Sequence, residues 1–222
     1  VSNSGTAGTM MSFEPLSGSR LGGANGPWDG GRAELIKYTS PTLAGFVASA
    51  AWTSNDDRSW DAALRYAGEF AGFRVASGIG YRENKATIGA TATKTTGGSA
   101  SAMHLGTGLF VNGAYGDQKN GAITFLGFPI LTFDAMKGWH LQAGIERKWW
   151  EIGKTTFYGE LLDMKATQGT DSATIKGFGF GAVQSIDAAA MDVYLAYRSN
   201  KLEVDFLTAR ADVFLAGAII RF

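Results

Sequence analysis

From Gly31 onward the chain repeats one pattern: segments of about ten residues in which apolar and polar or small side chains alternate singly, joined by connectors that are by turns short and long. Successive side chains of a strand point to opposite faces, so single alternation makes two unlike faces. In Ser59 to Tyr66, Trp60, Ala62, Leu64 and Tyr66 fall on one face, and Asp61, Ala63 and Arg65 on the other. Phe73 to Arg82 repeats this, with Phe73, Val75, Ser77, Ile79 and Tyr81 opposite Arg74, Ala76, Gly78, Gly80 and Arg82. The pattern predicts about eleven strands, starting near Arg32, Phe46, Ser59, Phe73, Ser101, Val111, Trp139, Thr155, Thr174, Ala190 and Asp212.

The expected short connectors are Ser40 to Gly45, Gly68 to Gly72, Gly106 to Phe110, Trp150 to Lys154 and Ile186 to Ala189. The expected long ones are Ser54 to Arg58, Lys85 to Ala100, Asp117 to Lys137, Lys165 to Ala173 and Ser199 to Leu207. Short turns on one side and long loops on the other fit an outer-membrane barrel. A weak internal repeat, LAGFVASAAW from Leu43, FAGFRVASGIGY from Phe70 and GTGLFVNGAYG from Gly106, places one short turn before one rising strand each time.

Composition narrows the function classes. Gly is 31 of 222 residues against 4 Pro, which suits close-packed strands and excludes a collagen or a Pro-rich disordered chain. Lys plus Arg and Asp plus Glu are 20 each, so the long-range positive field that nucleic acid would need is missing and no nucleic-acid partner is expected. With no Cys, disulfides, thiolate metal sites and thiol nucleophiles drop out. No stretch approaches the roughly 20 apolar residues of a membrane helix. Val1 to Arg20 lacks a charged start followed by an apolar run, as expected of a mature or truncated chain.

A soluble β-sandwich shares both alternation and spacing. The aromatic residues separate the two. On the apolar parity, Trp52, Trp60, Tyr81, Tyr115, Trp139 and Tyr197 fall near the long-loop ends of their strands, and Tyr38, Phe46, Phe73, Phe157 and Phe222 near the short-turn ends. Eight steps from Phe73 to Tyr81 span roughly 20 Å at about 3.3 Å per residue and a tilt of about 40°, close to the height of an apolar membrane band. A sandwich would bury its aromatics in mid-strand. The expected fold is therefore all-β, a transmembrane antiparallel up-and-down β-barrel integral to the outer membrane of a Gram-negative cell. Phe222 ends the amphipathic run DVFLAGAIIRF, as the closing strands of bacterial outer-membrane proteins do.

Several segments resemble the general porins of Gram-negative bacteria, in particular those of alphaproteobacteria: AELIKYTSPTLAGF from Ala33, LRYAGEFAGFRVASGIGY from Leu64, LQAGIERKWWEIGKTTFYGE from Leu141 and FGAVQSIDAAAMDVYLAYR from Phe180. The resemblance implies sixteen strands, a homotrimer, one loop folded inward to narrow the pore, and passive diffusion of small hydrophilic solutes and ions. Outer-membrane lipid and lipopolysaccharide are the implied surroundings. If Asp212 to Phe222 is the last of sixteen strands, Arg32 to Thr39 is the sixth. Residues 1–31, with Gly22, Gly23, Gly26, Gly30 and Gly31, would then hold the inward constriction loop, and 32–222 the barrel strands.

The parity opposite the aromatics collects Lys37, Arg65, Arg74, Arg82, Lys148 and Arg198 with Asp61, Glu146, Glu160 and Asp192; Glu14 and Asp29 are the acids of the expected inward loop. Facing charges of opposite sign would set a field across a water-filled pore and bias ion selectivity. Individually, each is better explained as a solvated or cross-strand-paired residue, and only the group reads as a site. His104 and His140 lack acids at a metal-site spacing and are expected as wall residues. The spacing of Gly177, Gly179 and Gly181 lacks the strand-to-helix context of a dinucleotide fingerprint and is expected to mark bulk-free wall positions. No catalytic elbow or triad order is present, so no enzyme activity, cofactor or metal is expected. A non-conducting structural or adhesive barrel is the alternative.

Overall fold

A computed structural model of the protein describes residues 35–53, 58–85, 91–125, 128–204 and 207–220. Eleven strands form one sheet in chain order: β1 (Leu35–Thr39), β2 (Phe46–Thr53), β3 (Arg58–Phe70), β4 (Phe73–Lys85), β5 (Thr93–His104), β6 (Leu109–Phe125), β7 (Phe128–Trp150), β8 (Gly153–Gln168), β9 (Asp171–Ile186), β10 (Met191–Val204) and β11 (Leu207–Ile220). Every neighbouring pair is antiparallel. The only helical piece among the described residues is a turn of 3-10 helix, Asp187–Ala189, between β9 and β10. Among these residues β1 and β11 have one neighbour each, so the sheet is open at both edges.

The short turns form where the sequence supplies backbone with positive φ. Leu43 bridges Phe46 around Ala44 (φ 49°) and Gly45 (φ 87°), and Phe70 pairs with Phe73 around Ala71 (φ 49°) and Gly72 (φ 79°). Two central residues with positive φ make the hairpin turn whose twist matches the flanking strands. The repeat LAGF and FAGF is thus one turn used twice.

The two faces of the sheet are inverted relative to a soluble protein. Ile36, Tyr38, Trp52, Leu64, Ile79, Leu161, Phe180, Leu195 and Phe214 all lie on one face, and all are exposed, Ile36 and Phe214 at 77%. The other face, called inner here, is the buried one, yet it holds Glu160, Asp192, Arg198 and Asn200 at 3–4% exposure. Along β11 exposure alternates residue by residue from Thr208 to Ile220. A large contiguous apolar surface facing outward is stable in lipid and would aggregate in water.

The largest departure from the sequence-based expectation is on the long-loop side. There β5 begins at Thr93 rather than near Ser101, β7 at Phe128 rather than near Trp139, and β11 at Leu207 rather than near Asp212. Most of 117–137, expected as loop, is a paired ribbon in which Phe125 faces Phe128, and β8 and β9 close around Gly169 and Thr170 alone. The cause is physical: these loop-side ends lie beyond the apolar band, so the strands continue without a lipid-facing stripe to mark them, and only the inner face stays packed, around Phe133 and Met136. At 23 residues, β7 is about twice the 9–11 residues that cross a bilayer.

The inverted facing carries a test. Leu64→Arg on the outer face is expected to destabilise the lipid-embedded fold by about 2–4 kcal/mol, read by urea unfolding from lipid vesicles. Arg65→Glu on the inner face of the same strand is expected to leave folding intact. Equal losses from both would contradict the assignment.

Candidate functional site

Register decides which charges meet. Asp61 of β3 faces Ala51 of β2 and Arg82 of β4, Lys37 of β1 faces Ala51 from the other side, and Arg65 faces Gly78. Lys37, Asp61, Arg65 and Arg82 therefore share the inner face of β1–β4, as the alternation predicted. Among the described residues none of the four makes an ion pair, and Arg82 Nε has no hydrogen-bond partner. Arg74 sits lower, beside the Ala71–Gly72 turn, where its Nε donates to Glu69 at 2.7 Å.

Next to this basic wall the inner face is bare. One register row runs Gly80, Gly97, Gly116 and Gly138 across β4–β7, and the row beside it begins Gly78, Ser99 and Ala114. The first row carries no side chain of its own, and the second only small ones at these three positions.

The second group of charges, on β7–β10, is tied together. Arg198 Nε donates to Glu160 Oε1 at 2.8 Å, and His140 Nε2 stands 3.3 Å from Glu160 Oε2. These side chains come from three strands, β7, β8 and β10, with β9 between the last two. They meet because Gly179 of β9, directly between Glu160 and Arg198, is bare: a Cβ there would stand 2.9 Å from Glu160 Oε1 and 3.1 Å from Arg198 Cγ. Gly181 likewise leaves room for the Tyr158 ring, whose hydroxyl would lie 2.6 Å from a Cβ, and a Cβ at Gly177 would collide with Asn200. The Gly177, Gly179, Gly181 run is therefore a trough in the inner wall, roofed by side chains from both flanking strands. The sequence marked these positions as bulk-free without showing what fills the space.

The remaining predicted charges are paired near the short turns or hydrogen-bonded. Glu146 accepts from Lys154 at 3.0 Å, Lys148 donates to Asp187 at 3.3 Å, and buried Asp192 accepts from Ser185 Oγ at 2.7 Å. Glu14, Asp29 and Phe222 lie outside the described residues. His104, a wall residue at the β5–β6 turn, has its Nδ1 2.8 Å from Thr107 Oγ1. The tie between His140 and Glu160 was not visible in the sequence, because the two are far apart in the chain and meet only through register. Also unforeseen is an apolar cluster of Phe133, Met136, Leu162 and Met164, with Leu162 and Met164 two and four residues beyond Glu160 toward the long loops.

The outer face carries the aromatic belts. At the loop side Trp52 faces Trp60, Trp60 packs on Tyr81 at 5.2 Å, Tyr115 faces Trp139, and Tyr197 packs between Phe180 (5.3 Å) and Phe214 (4.9 Å). At the turn side Phe46 packs on Tyr66 at 4.7 Å, Phe73 on His104 at 4.9 Å and Trp149 on Phe157 at 5.6 Å. Trp149 and Trp150 belong to the second belt and were missed, because the register slip between Arg147 and Trp150 breaks the alternation there. Above the loop-side belt Lys201 donates to Glu203 at 2.6 Å, which holds the Glu203 carboxyl below its usual range.

The sequence model of the Gram-negative porin family matches residues 2–205. No protein with a curated description matches the chain. Among solved structures the chain is similar to OccK9 (OpdG) of Pseudomonas aeruginosa, at 12% identity and a TM-score of 0.51, over 78% of this chain and 54% of that one. It thus spans about half of that protein's length. The β domain of the Bordetella autotransporter BrkA aligns over 82% of this chain and 79% of its own, at 14% identity and a TM-score of 0.37.

The buried clamp carries its own prediction. Removing one partner leaves the other charge buried without compensation, which costs about 3–5 kcal/mol. Glu160→Leu is accordingly expected to lower stability by about that much, and Glu160→Leu with Arg198→Leu by less than the sum, as a double-mutant cycle in urea measures. Additive losses would mean the two side chains do not act as a pair.

Proposed function

This chain belongs to the Gram-negative porin family, and on that premise we propose that it forms the wall of a water-filled channel through which small hydrophilic solutes and ions diffuse passively. It is an integral protein of the Gram-negative outer membrane. The observation that carries the channel reading is the inverted sheet: charged and amide side chains on the inner face, an apolar band between two aromatic belts on the outer. A homotrimer, with part of the outer apolar face against other copies and the rest against lipid, belongs to the same reading. So does an inward constriction loop within residues 1–31, carrying Glu14 and Asp29.

The pairing pattern separates inner charges that would act on a solute from those that hold the wall. Glu160, Arg198 and Glu146 are neutralised by near partners. Among the described residues Lys37, Arg65 and Arg82, with Asp61 as the one acid among them, are not. An uncompensated basic wall beside a bare glycine row attracts anions more than cations, so the β1–β4 wall is the selectivity-bearing part of this proposal.

In planar bilayers with a salt gradient, the folded protein is expected to conduct with a reversal potential biased toward anions. Arg65→Glu and Arg82→Glu should each move that potential toward cations. A correctly folded protein without conductance would overturn the channel reading in favour of a non-conducting barrel. An unchanged potential in either variant would remove that arginine from the selectivity wall.

A further inference from the structure

Asp61 and Arg82 stand directly opposite one another on β3 and β4, both on the inner face. Side chains so placed have Cβ atoms about 5 Å apart, within easy reach of an ion pair. None forms: among the described residues neither makes an ion pair, and Arg82 Nε is shielded from solvent without a hydrogen-bond partner. Their other neighbours leave them so. Thr95, across from Arg82 on β5, accepts from Gln118 at 3.1 Å, and Ala51 separates Asp61 from Lys37. A cation and an acid thus stand side by side, each with bonding capacity left for another molecule.

Toward the short turns the wall beside this pair is bare. Ala63 on β3 and Gly80 on β4 form the next inner row, and Gly97 continues it on β5. Among the described residues a Cβ at Gly80 would meet only Ala62 O and Ala63 Cβ, both at 3.6 Å, and one at Gly97 only Tyr115 O at 3.5 Å. The row after that brings Arg65, an exposed residue whose Cγ would stand 3.4 Å from a Cβ on Gly78. Arg65 therefore leans over β4, the strand that carries Arg82. Four residues separate Asp61 from Arg65, roughly 13 Å along the strand. The three charges frame a trough floored by Ala63, Gly80 and Gly97.

Resting on the reading of β1–β4 as a water-facing wall, and naming the solute class of that wall, we propose that the trough is a binding subsite for acidic α-amino acids. An α-amino acid carries an ammonium and a carboxylate on one carbon, a spacing that an acid and a guanidinium on adjacent strands meet together. The ammonium donates to Asp61 and the carboxylate accepts from Arg82, while the Cα between them lies over the bare floor. The second carboxylate of an acidic side chain then reaches Arg65. Two cations and one acid frame the trough, and the ligand reverses that ratio with two carboxylates and one ammonium. A simple dicarboxylate would leave Asp61 facing a like charge, and a neutral amino acid would leave Arg65 unmatched.

Ligand-observed saturation-transfer NMR on the folded chain in phosphatidylcholine nanodiscs gives dissociation constants for L-glutamate, L-glutamine and glutarate. Glutamate is expected to bind roughly 10-fold more tightly than either analogue, since each analogue lacks one charge-assisted contact. Asp61→Asn should erase the advantage over glutarate, and Arg65→Gln the advantage over glutamine, with the urea midpoint of each variant confirming its fold. Equal affinity for all three ligands, no binding of any of them, or unchanged ratios in the folded variants would overturn the subsite. Reversal potentials recorded on the same preparations keep the two readings apart. An anion-biased channel that binds the three alike defeats only the subsite, and a protein that discriminates them without conducting keeps the subsite and defeats only the channel.

Discussion

In hydrocarbon a backbone amide or carbonyl has no water to bond to, so each must find its partner inside the protein. The antiparallel ladder does this for ten successive strand pairings here, and everything else in the molecule depends on it. Since the backbone is held by neighbouring backbone, the side chains need not form a core. They are free to divide by face, apolar toward lipid and polar toward the interior, which reverses the arrangement of a soluble sheet. Two-residue turns such as Ala71–Gly72 keep the ladder unbroken on the side where little chain is available between strands.

Within that frame the inner face follows two different rules. On β7–β10 the ionic groups are closely packed, and glycines on β9 supply the room for a carboxylate and a guanidinium to meet across an intervening strand. On β1–β4 they stand apart. A buried pair desolvates its members and requires mutual compensation, whereas separated charges need contact with water or solute to be tolerated. The same residue types are therefore paired in one place and separate in the other.

Much of the fold is legible in the sequence, because a strand with one face in lipid has to alternate. The facings of Trp60, Leu64 and Tyr81 against Asp61, Arg65 and Arg82 follow directly from period two. Legibility ends where the two environments become alike. Beyond the aromatic belt no lipid-facing stripe continues, so period two alone does not distinguish a ribbon from a loop at Gly121 and the residues near it. Nor does period two report which residue lies across the ladder. His140, Glu160 and Arg198 could each be assigned to the inner face, but their meeting depends on register, and register depends on turn geometry between strands. The register slip at Arg147–Trp150 hid the Trp149 and Trp150 contribution for the same reason.

The alternation described for β11 has a consequence for how such a chain enters a membrane. The outward residues from Phe214 to Ile220 alternate with Leu215, Gly217 and Ile219 of the opposite face, so a lone strand offers a bilayer only a narrow outward stripe. A lone strand placed in hydrocarbon would also leave its amide groups without partners. Affinity for lipid therefore arises only once strands have paired and their apolar faces have merged into one band. Insertion and sheet formation become a single cooperative event.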